Sequence, residues 1–220
     1  MAHEITLRHL LPEVFAGMED TSRIRNSQIW EVASFTFKKG CRICLQAESG
    51  GGKSSLLSFI YGNRNDYKGE ILIDGKDIRG FSVSRWCELR CREIALLPQE
   101  MRLFPSLTAL QNIELKNQLT GCKSDKEIEL MLDRLGIAEK RDVAVGKLSI
   151  GQQQRVAIVR TLCQPFDFIF LDEPVSHLDE TNNRIVAEIV EEVARRYDAG
   201  IVTTSVGNHL LLKNAEFVEL

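Results

Sequence analysis

One stretch constrains this chain more than any other: Ala47-Glu48-Ser49-Gly50-Gly51-Gly52-Lys53-Ser54-Ser55. It follows the apolar run Cys41 to Gln46 and precedes Leu56-Leu57-Ser58-Phe59-Ile60, which reads as the start of a helix. Strand, glycine loop, Lys-Ser and helix is the order of a phosphate-binding loop. Consecutive glycines let backbone N–H groups turn toward a polyphosphate without Cβ clashes. The helix behind them aims the positive end of its dipole at the same anion. Lys53 is placed to reach the terminal phosphates, and the Ser54 hydroxyl to meet Mg2+. A flexible Gly/Ser linker has no use for Lys-Ser between a strand and a helix. One position departs from the pattern: Ala47 stands where it begins with Gly.

A chain of 220 residues fits one domain, or one core with a smaller lobe, and a 44% hydrophobic fraction supports a substantial core. A net charge of −3 gives no electrostatic case for nucleic acid. No apolar run is long enough for a membrane-spanning helix, and Met1-Ala2-His3-Glu4-Ile5-Thr6 has neither the basic start nor the apolar core of a signal peptide. The expectation is a soluble, intracellular protein. Its six cysteines read as small buried hydrophobes. Cys41 and Cys44 are spaced like metal ligands, but on a strand they point to opposite faces, and no second ligand pair completes a site around Cys87 and Cys91.

In chain order, Glu4 to Val14 reads as a strand, Ala16 to Gln28 as loop, and Ile29 to Phe37 as a second strand with Lys38-Lys39-Gly40 its turn. After the glycine loop and its helix, Asn63 to Gly69 reads as loop and Glu70 to Ile78 as a hairpin turning at Asp74-Gly75. Ser82 to Arg92 is helical in composition, and Ile94 to Leu97 is a short buried strand ending at Pro98-Gln99. From Met101 to Lys147 the character is helical. Leu107 to Leu119 forms one helix, and the capping box Ser124-Asp125-Lys126-Glu127 opens another that stops at Gly136. Ser149 N-caps a further helix. Phe168 to Leu171 has the continuous apolar character of a central parallel strand. Glu180 to Tyr197 is an amphipathic helix, and Ile201 to Thr204 a further buried strand. Alternating strands and helices predict an α/β fold with a mostly parallel sheet, an antiparallel β subdomain and an inserted helical subdomain. One domain over 1–220 is expected, its core at 1–100 and 148–220 and the helical insert at 101–147.

The apolar strand at 168–171 ends in Asp172-Glu173. Asp172 suits Mg2+, a hard cation that takes oxygen ligands, and Glu173 suits the orientation and deprotonation of an attacking water. Gln99, ending its own short strand, is placed to complete the water or Mg2+ shell.

Together these residues resemble the ATP-binding-cassette ATPases, a P-loop (RecA-like) family, with motifs in the family's order over nearly the whole chain. Ser49 to Ser55 resembles the phosphate loop, Gln99 the glutamine loop, Leu148 to Gln152 the family signature and Phe168 to Glu173 the acidic strand. Ser176-His177-Leu178-Asp179 resembles the loop that crosses the dimer interface, and Phe15 the aromatic that stacks on adenine. Leu103 to Thr108 and the helical insert look most like the lipoprotein-release and macrolide-export subfamily.

The resemblance implies an ATP- and Mg2+-dependent ATPase that drives a separate transmembrane permease from the cytoplasmic face. It implies a homodimer, or a heterodimer with a related ATPase, in which two subunits sandwich two ATPs head to tail. Each ATP is held by Phe15, Ser49, Gly50, Gly51, Gly52, Lys53, Ser54 and Ser55 of one subunit, and in trans by Ser149, Gly151, Gln152 and Asp179 of the other. Glu173, Gln99 and Ser205 are the implied catalytic residues, and Ser54, Gln99 and Asp172 the implied Mg2+ ligands. A groove beside Gln99 and the helical insert is implied to receive the membrane partner. Two further departures bear on activity. Ile150 stands where the signature has Gly, and a β-branched residue takes positive φ at a cost. Ser205 stands where the family has a histidine on the γ-phosphate; its shorter, uncharged side chain implies turnover slower by about 100-fold. These departures leave open a nucleotide-gated regulatory subunit that scarcely hydrolyses ATP. A soluble P-loop kinase would have no use for Leu148 to Gln152.

Overall fold

The computed structural model describes residues 2–18 and 20–220, the Arg23 side chain excepted. Nine strands are described: β1 (Glu4–Pro12), β2 (Phe35–Lys38), β3 (Arg42–Gln46), β4 (Tyr67–Ile73), β5 (Lys76–Asp77), β6 (Ile94–Leu97), β7 (Phe168–Leu171), β8 (Gly200–Ser205) and β9 (Glu216–Glu219). The described helices are α1 (Ser22–Arg25), α2 (Lys53–Ile60), α3 (Val83–Arg92), α4 (Ala109–Asn117), α5 (Asp125–Arg134), α6 (Ile150–Leu162) and α7 (Glu180–Arg196).

The strands form two sheets. One is parallel throughout, in the order β6-β7-β8-β3-β9. The other is antiparallel, in the order β2-β1-β4-β5. Side-chain alternation explains the layering around the parallel sheet. Ile169, Leu171 and Ile201 join a core with α4, α5, α6 and α7. Phe168, Phe170 and Val202 point the other way, into a core with α2 and the antiparallel sheet. β7 is covered on both faces, and all four of its apolar residues are buried.

Several elements form where the sequence places them, for local reasons. The side chains of Thr108, Ser124 and Ser149 each cap a helix in a reciprocal box with Gln111, Glu127 and Gln152. Between them, α4 and α5 lie in the chain between β6 and α6, over the parallel sheet's α6 face. The hairpin of β4 and β5 pairs Ile73 with Lys76 around Asp74-Gly75.

Other elements differ from the sequence reading. The strand expected over Ile29 to Phe37 is confined to its end, Phe35–Lys38, and the consecutive Ile29 and Trp30 are both buried in the core that holds α2. The Ser27 hydroxyl instead accepts the N–H groups of Ile29 (3.1 Å) and Trp30 (2.8 Å), turning the chain inward. The first strand stops at Pro12 and continues as a single 3-10 turn, Glu13–Phe15. Within 16–28, read as loop, the chain forms the one-turn α1. The loop expected to run to Gly69 gives way to β4 from Tyr67, and β9, absent from the sequence reading, adds to the edge of β3.

Candidate functional site

The phosphate loop joins the C-terminal end of β3 to α2. Gly52 takes φ of +92° at the N-cap of α2, a conformation open to glycine and strained for other residues. Lys53 is buried, and its ammonium donates to the loop's own Ala47 and Glu48 carbonyls at 2.8 and 3.1 Å. Burial lowers its pKa below the ordinary lysine value, while the charges of Glu173 and Asp172 oppose that shift. A polyphosphate adds negative charge at the same place and favours the ammonium form.

Ala47 is accommodated by Gly51. A Cβ on Gly51 would lie 2.5 Å from the Ala47 Cβ and 3.1 Å from the Glu48 carbonyl oxygen. The methyl group carried at 47 therefore requires that position 51 carry none. Gly51→Ala alone is expected to displace the loop and lower kcat/KM for ATP by about 100-fold. Adding Ala47→Gly to the same chain should recover most of it. A Gly51→Ala protein with unchanged kinetics would show that the loop tolerates both methyl groups.

At the end of β7, Asp172 is buried and Glu173 half-buried. The Thr204 hydroxyl links them: it donates to Asp172 Oδ1 at 2.6 Å and accepts the Glu173 N–H at 3.0 Å. Glu173 has φ of +48°, a left-handed conformation that costs a non-glycine residue about 1–2 kcal/mol. The Glu173 carbonyl is held by Gln154 Nε2 at 3.0 Å and the Ser176 hydroxyl at 3.2 Å. Its carboxylate accepts from Gln99 Nε2 at 3.3 Å. One cleft of about 270 Å³ brings Phe15, Ser49 to Ser55, Gln99 and Glu173 to a common opening, with Pro12 and Val14 beside Phe15. Phe15 itself is buried, packed edge-on against Trp30 with ring centroids 6.2 Å apart.

The signature residues lie at the start of α6. Ser149 Oγ accepts the Gln152 N–H at 3.3 Å, and Gln152 Oε1 accepts the Ser149 N–H at 3.0 Å. Ile150 opens α6 in ordinary helical geometry with its side chain exposed, so the departure from Gly strains nothing. Gly151 is required by close approach: a Cβ there would lie 2.9 Å from the His177 carbonyl oxygen. Asp179 caps α7, accepting the Asn182 N–H at 2.8 Å, and that bond holds its carboxyl below the usual range. The Ser176 hydroxyl lies 3.0 Å from His177 Nδ1.

Ser205 is a correction. It is the last residue of β8 and is 1% exposed. Strand alternation sends its side chain to the face opposite Thr204, where its hydroxyl lies 3.7 Å from Cys44 Sγ. It is absent from the cleft lining. His209 packs edge-on against Phe217, 5.1 Å between centroids, so it does not replace the missing imidazole.

A family model described as ABC transporter matches residues 31–176, a span containing Lys53, Gln99, Ser149, Asp172 and Glu173. This chain belongs to the ABC transporter family. It is 34% identical over 165 residues to the ABC transporter ATP-binding protein YtrE of Bacillus subtilis (strain 168), covering 74% of this chain and 71% of that one. Over 182 residues it is 31% identical to the lipoprotein-releasing system ATP-binding protein LolD of Leptospira interrogans, covering 82% and 77%. In fold it is similar to the dimeric bacterial ABC transporter cassette MJ0796, with a TM-score of 0.77, 24% identity, and coverage of 98% and 94%. A post-hydrolysis state of that cassette bound to ADP and Pi gives 0.74 at 23% identity, covering 98% and 96%. Membership of this family makes the chain an ABC ATPase.

Three participants in this ABC ATPase site escaped the sequence reading. Thr204 was a polar residue ending a buried strand, and Gln154 one of three consecutive glutamines. Trp30 lay in a stretch read as strand; an aromatic between Ile29 and Glu31 was its only signal.

Proposed function

We propose that this ABC ATPase is the motor subunit of a transporter, closing as a two-fold dimer on ATP beneath a separate transmembrane permease. Its partner in the dimer is a second copy or another ABC ATPase. The observation that carries the reading is the single cleft joining the Lys53 loop to Gln99 and Glu173. Lys53 and the loop amides hold the phosphates, Phe15 borders the adenine, and Glu173, steadied by Gln99, accepts a proton from the attacking water. Ser149, Gly151, Gln152 and Asp179 engage the nucleotide of the opposite subunit, using the N-terminal N–H groups of α6. The helical insert at 101–147 completes a single domain over 1–220.

Ser54, Gln99 and Asp172 would offer Mg2+ oxygen donors, which suit it better than a soft metal. These residues would hold Mg2+, whose charge would offset that of the transferring phosphoryl group. Thr204 fixes the Asp172 carboxylate through the 2.6 Å bond. Because no histidine lines the cleft among the described residues, water is held without an imidazole and turnover is slow.

No described helix is long and apolar enough to cross a membrane; in this reading the permease is a separate chain, with this subunit peripheral to its cytoplasmic face. A cleft of about 220 Å³ lined by Leu96, Phe104, Leu115, Lys116 and Arg160 lies between β6, α4 and α6 and offers that partner a seat. Arg160 donates to the Met101 and Arg102 carbonyls, tying the segment after Gln99 to α6. Phosphate release by the purified chain tests the proposal. Release is expected with ATP and Mg2+ and should stop on adding EDTA; no release alone or with its permease would refute the motor.

A further inference from the structure

We infer that Trp30 is a positioning residue for the phosphate loop, its indole N–H holding the Gly51 carbonyl so that the Gly52 N–H faces the cleft. This inference rests on the nucleotide reading of the loop and names a determinant of it outside the glycine motif.

Trp30 is 1% exposed, and its Nε1 donates to the Gly51 carbonyl at 3.2 Å. The ring lies directly under the next residue. A Cβ on Gly52 would stand 2.9 Å from Trp30 Cζ2 and 3.3 Å from Phe15 Cε2. The peptide between Gly51 and Gly52 is trans, and in a trans peptide the C=O and N–H point in opposite directions. Fixing the carbonyl on the buried indole therefore sends the Gly52 N–H away from Trp30, to the side where Gly52 lines the cleft.

Among the described residues no other hydrogen bond holds the Gly51 carbonyl. Both residues of this peptide lack a Cβ, and glycine crosses to positive φ at little cost, so the peptide plane is free to flip without a tether. The Gly51 N–H is committed to the Glu48 carbonyl at 3.0 Å, which fixes the preceding peptide and not this one.

The surrounding chain is shaped to deliver the indole. Ser27 Oγ accepts the Trp30 N–H, the Gln28 N–H donates to the Glu219 carbonyl at 2.9 Å, and the Glu31 N–H donates to the Leu10 carbonyl at 3.0 Å. Glu31 adopts φ of +58° to make that turn. These bonds displace the strand pairing that the sequence led one to expect. A leucine would fill the space beneath the loop; the indole adds a donor.

Trp30→Phe keeps a ring and removes the donor. Measured on the full chain by calorimetric titration and steady-state kinetics, it should raise the Kd and KM for ATP about tenfold, as expected for loss of one phosphate-facing N–H. Its kcat at saturating ATP should stay within about twofold. Affinity equal to wild type would overturn the inference. So would a fall in kcat with KM unchanged, matched by Trp30→Leu, which would mark Trp30 as packing only.

Should Trp30→Phe not fold, the indole N–H signal of Trp30 can be read in a Trp86→Phe protein, where it is the only one left. Slow solvent exchange and a shift on adding ATP with Mg2+ are expected; exchange at the rate of a free indole would overturn the tether. A wild-type chain that binds no ATP would sink the nucleotide reading along with it, whereas tight wild-type binding untouched by Trp30→Phe sinks only this inference.

Discussion

Lys53→Ala lowers the affinity of the chain for ATP by at least about 100-fold. The side chain is buried at the N-terminus of α2, and its ammonium is the cation inside the phosphate loop. A hydrogen bond to a charged group contributes about 1.5–3 kcal/mol, and 1.4 kcal/mol is tenfold in affinity. The loss exceeds that of one contact, because the same ammonium also ties the Ala47 and Glu48 carbonyls at the loop's entrance. Removing it frees the part of the loop that Gly51 packs against. Calorimetric titration with ATP reads the change directly, and the thermal melt shows whether the fold persists. Retained affinity would remove the phosphate-loop assignment.

Glu173→Gln reduces steady-state phosphate release by about 1000-fold while leaving ATP affinity near that of wild type. A positioned general base contributes about 100- to 10,000-fold, and the amide cannot accept the water's proton. The substitution is nearly isosteric. The backbone at 173 stays in place, because Thr204, Gln154 and Ser176 hold its N–H and carbonyl rather than its side chain. The contact with Gln99 also survives, since an amide oxygen accepts the same bond. Single-turnover measurement separates the chemical step from product release. A rate within tenfold of wild type would assign the base elsewhere.

The architecture was legible where one local signal dictated one local outcome. The glycine loop, the capping box at Ser124, the N-cap at Ser149 and the apolar strand ending in Asp172-Glu173 all form as read. What the sequence hid were outcomes decided by tertiary contact. Ile29 and Trp30 abandon strand geometry where the Ser27 hydroxyl takes both their N–H groups, and Trp30 sinks beneath the phosphate loop. The four-residue β9, with only Val218 buried, carries too little pattern to be distinguished from loop. Ser205 was read as following a buried strand, in the position of a family histidine, but it is the last residue of β8, and its pleat, set by the register of β8 against β3, turns it to the face opposite Thr204.

Those departures also explain why the regulatory alternative loses ground. Ala47 is balanced by Gly51, and Ile150 begins its helix without strain. Of the features that suggested an inert site, the missing histidine alone persists. The acidic pair meanwhile retains a supporting network, Thr204 and Gln154, that would have no purpose around an unused base.

Light scattering of the Glu173→Gln chain after size-exclusion chromatography tests the central claim most directly. With ATP and Mg2+ the account predicts a dimer, because ATP held by the Lys53 loop recruits the Ser149 end of a second subunit; with ADP it predicts a monomer. A monomer in both, while ATP is bound, would contradict closure across two copies of this chain.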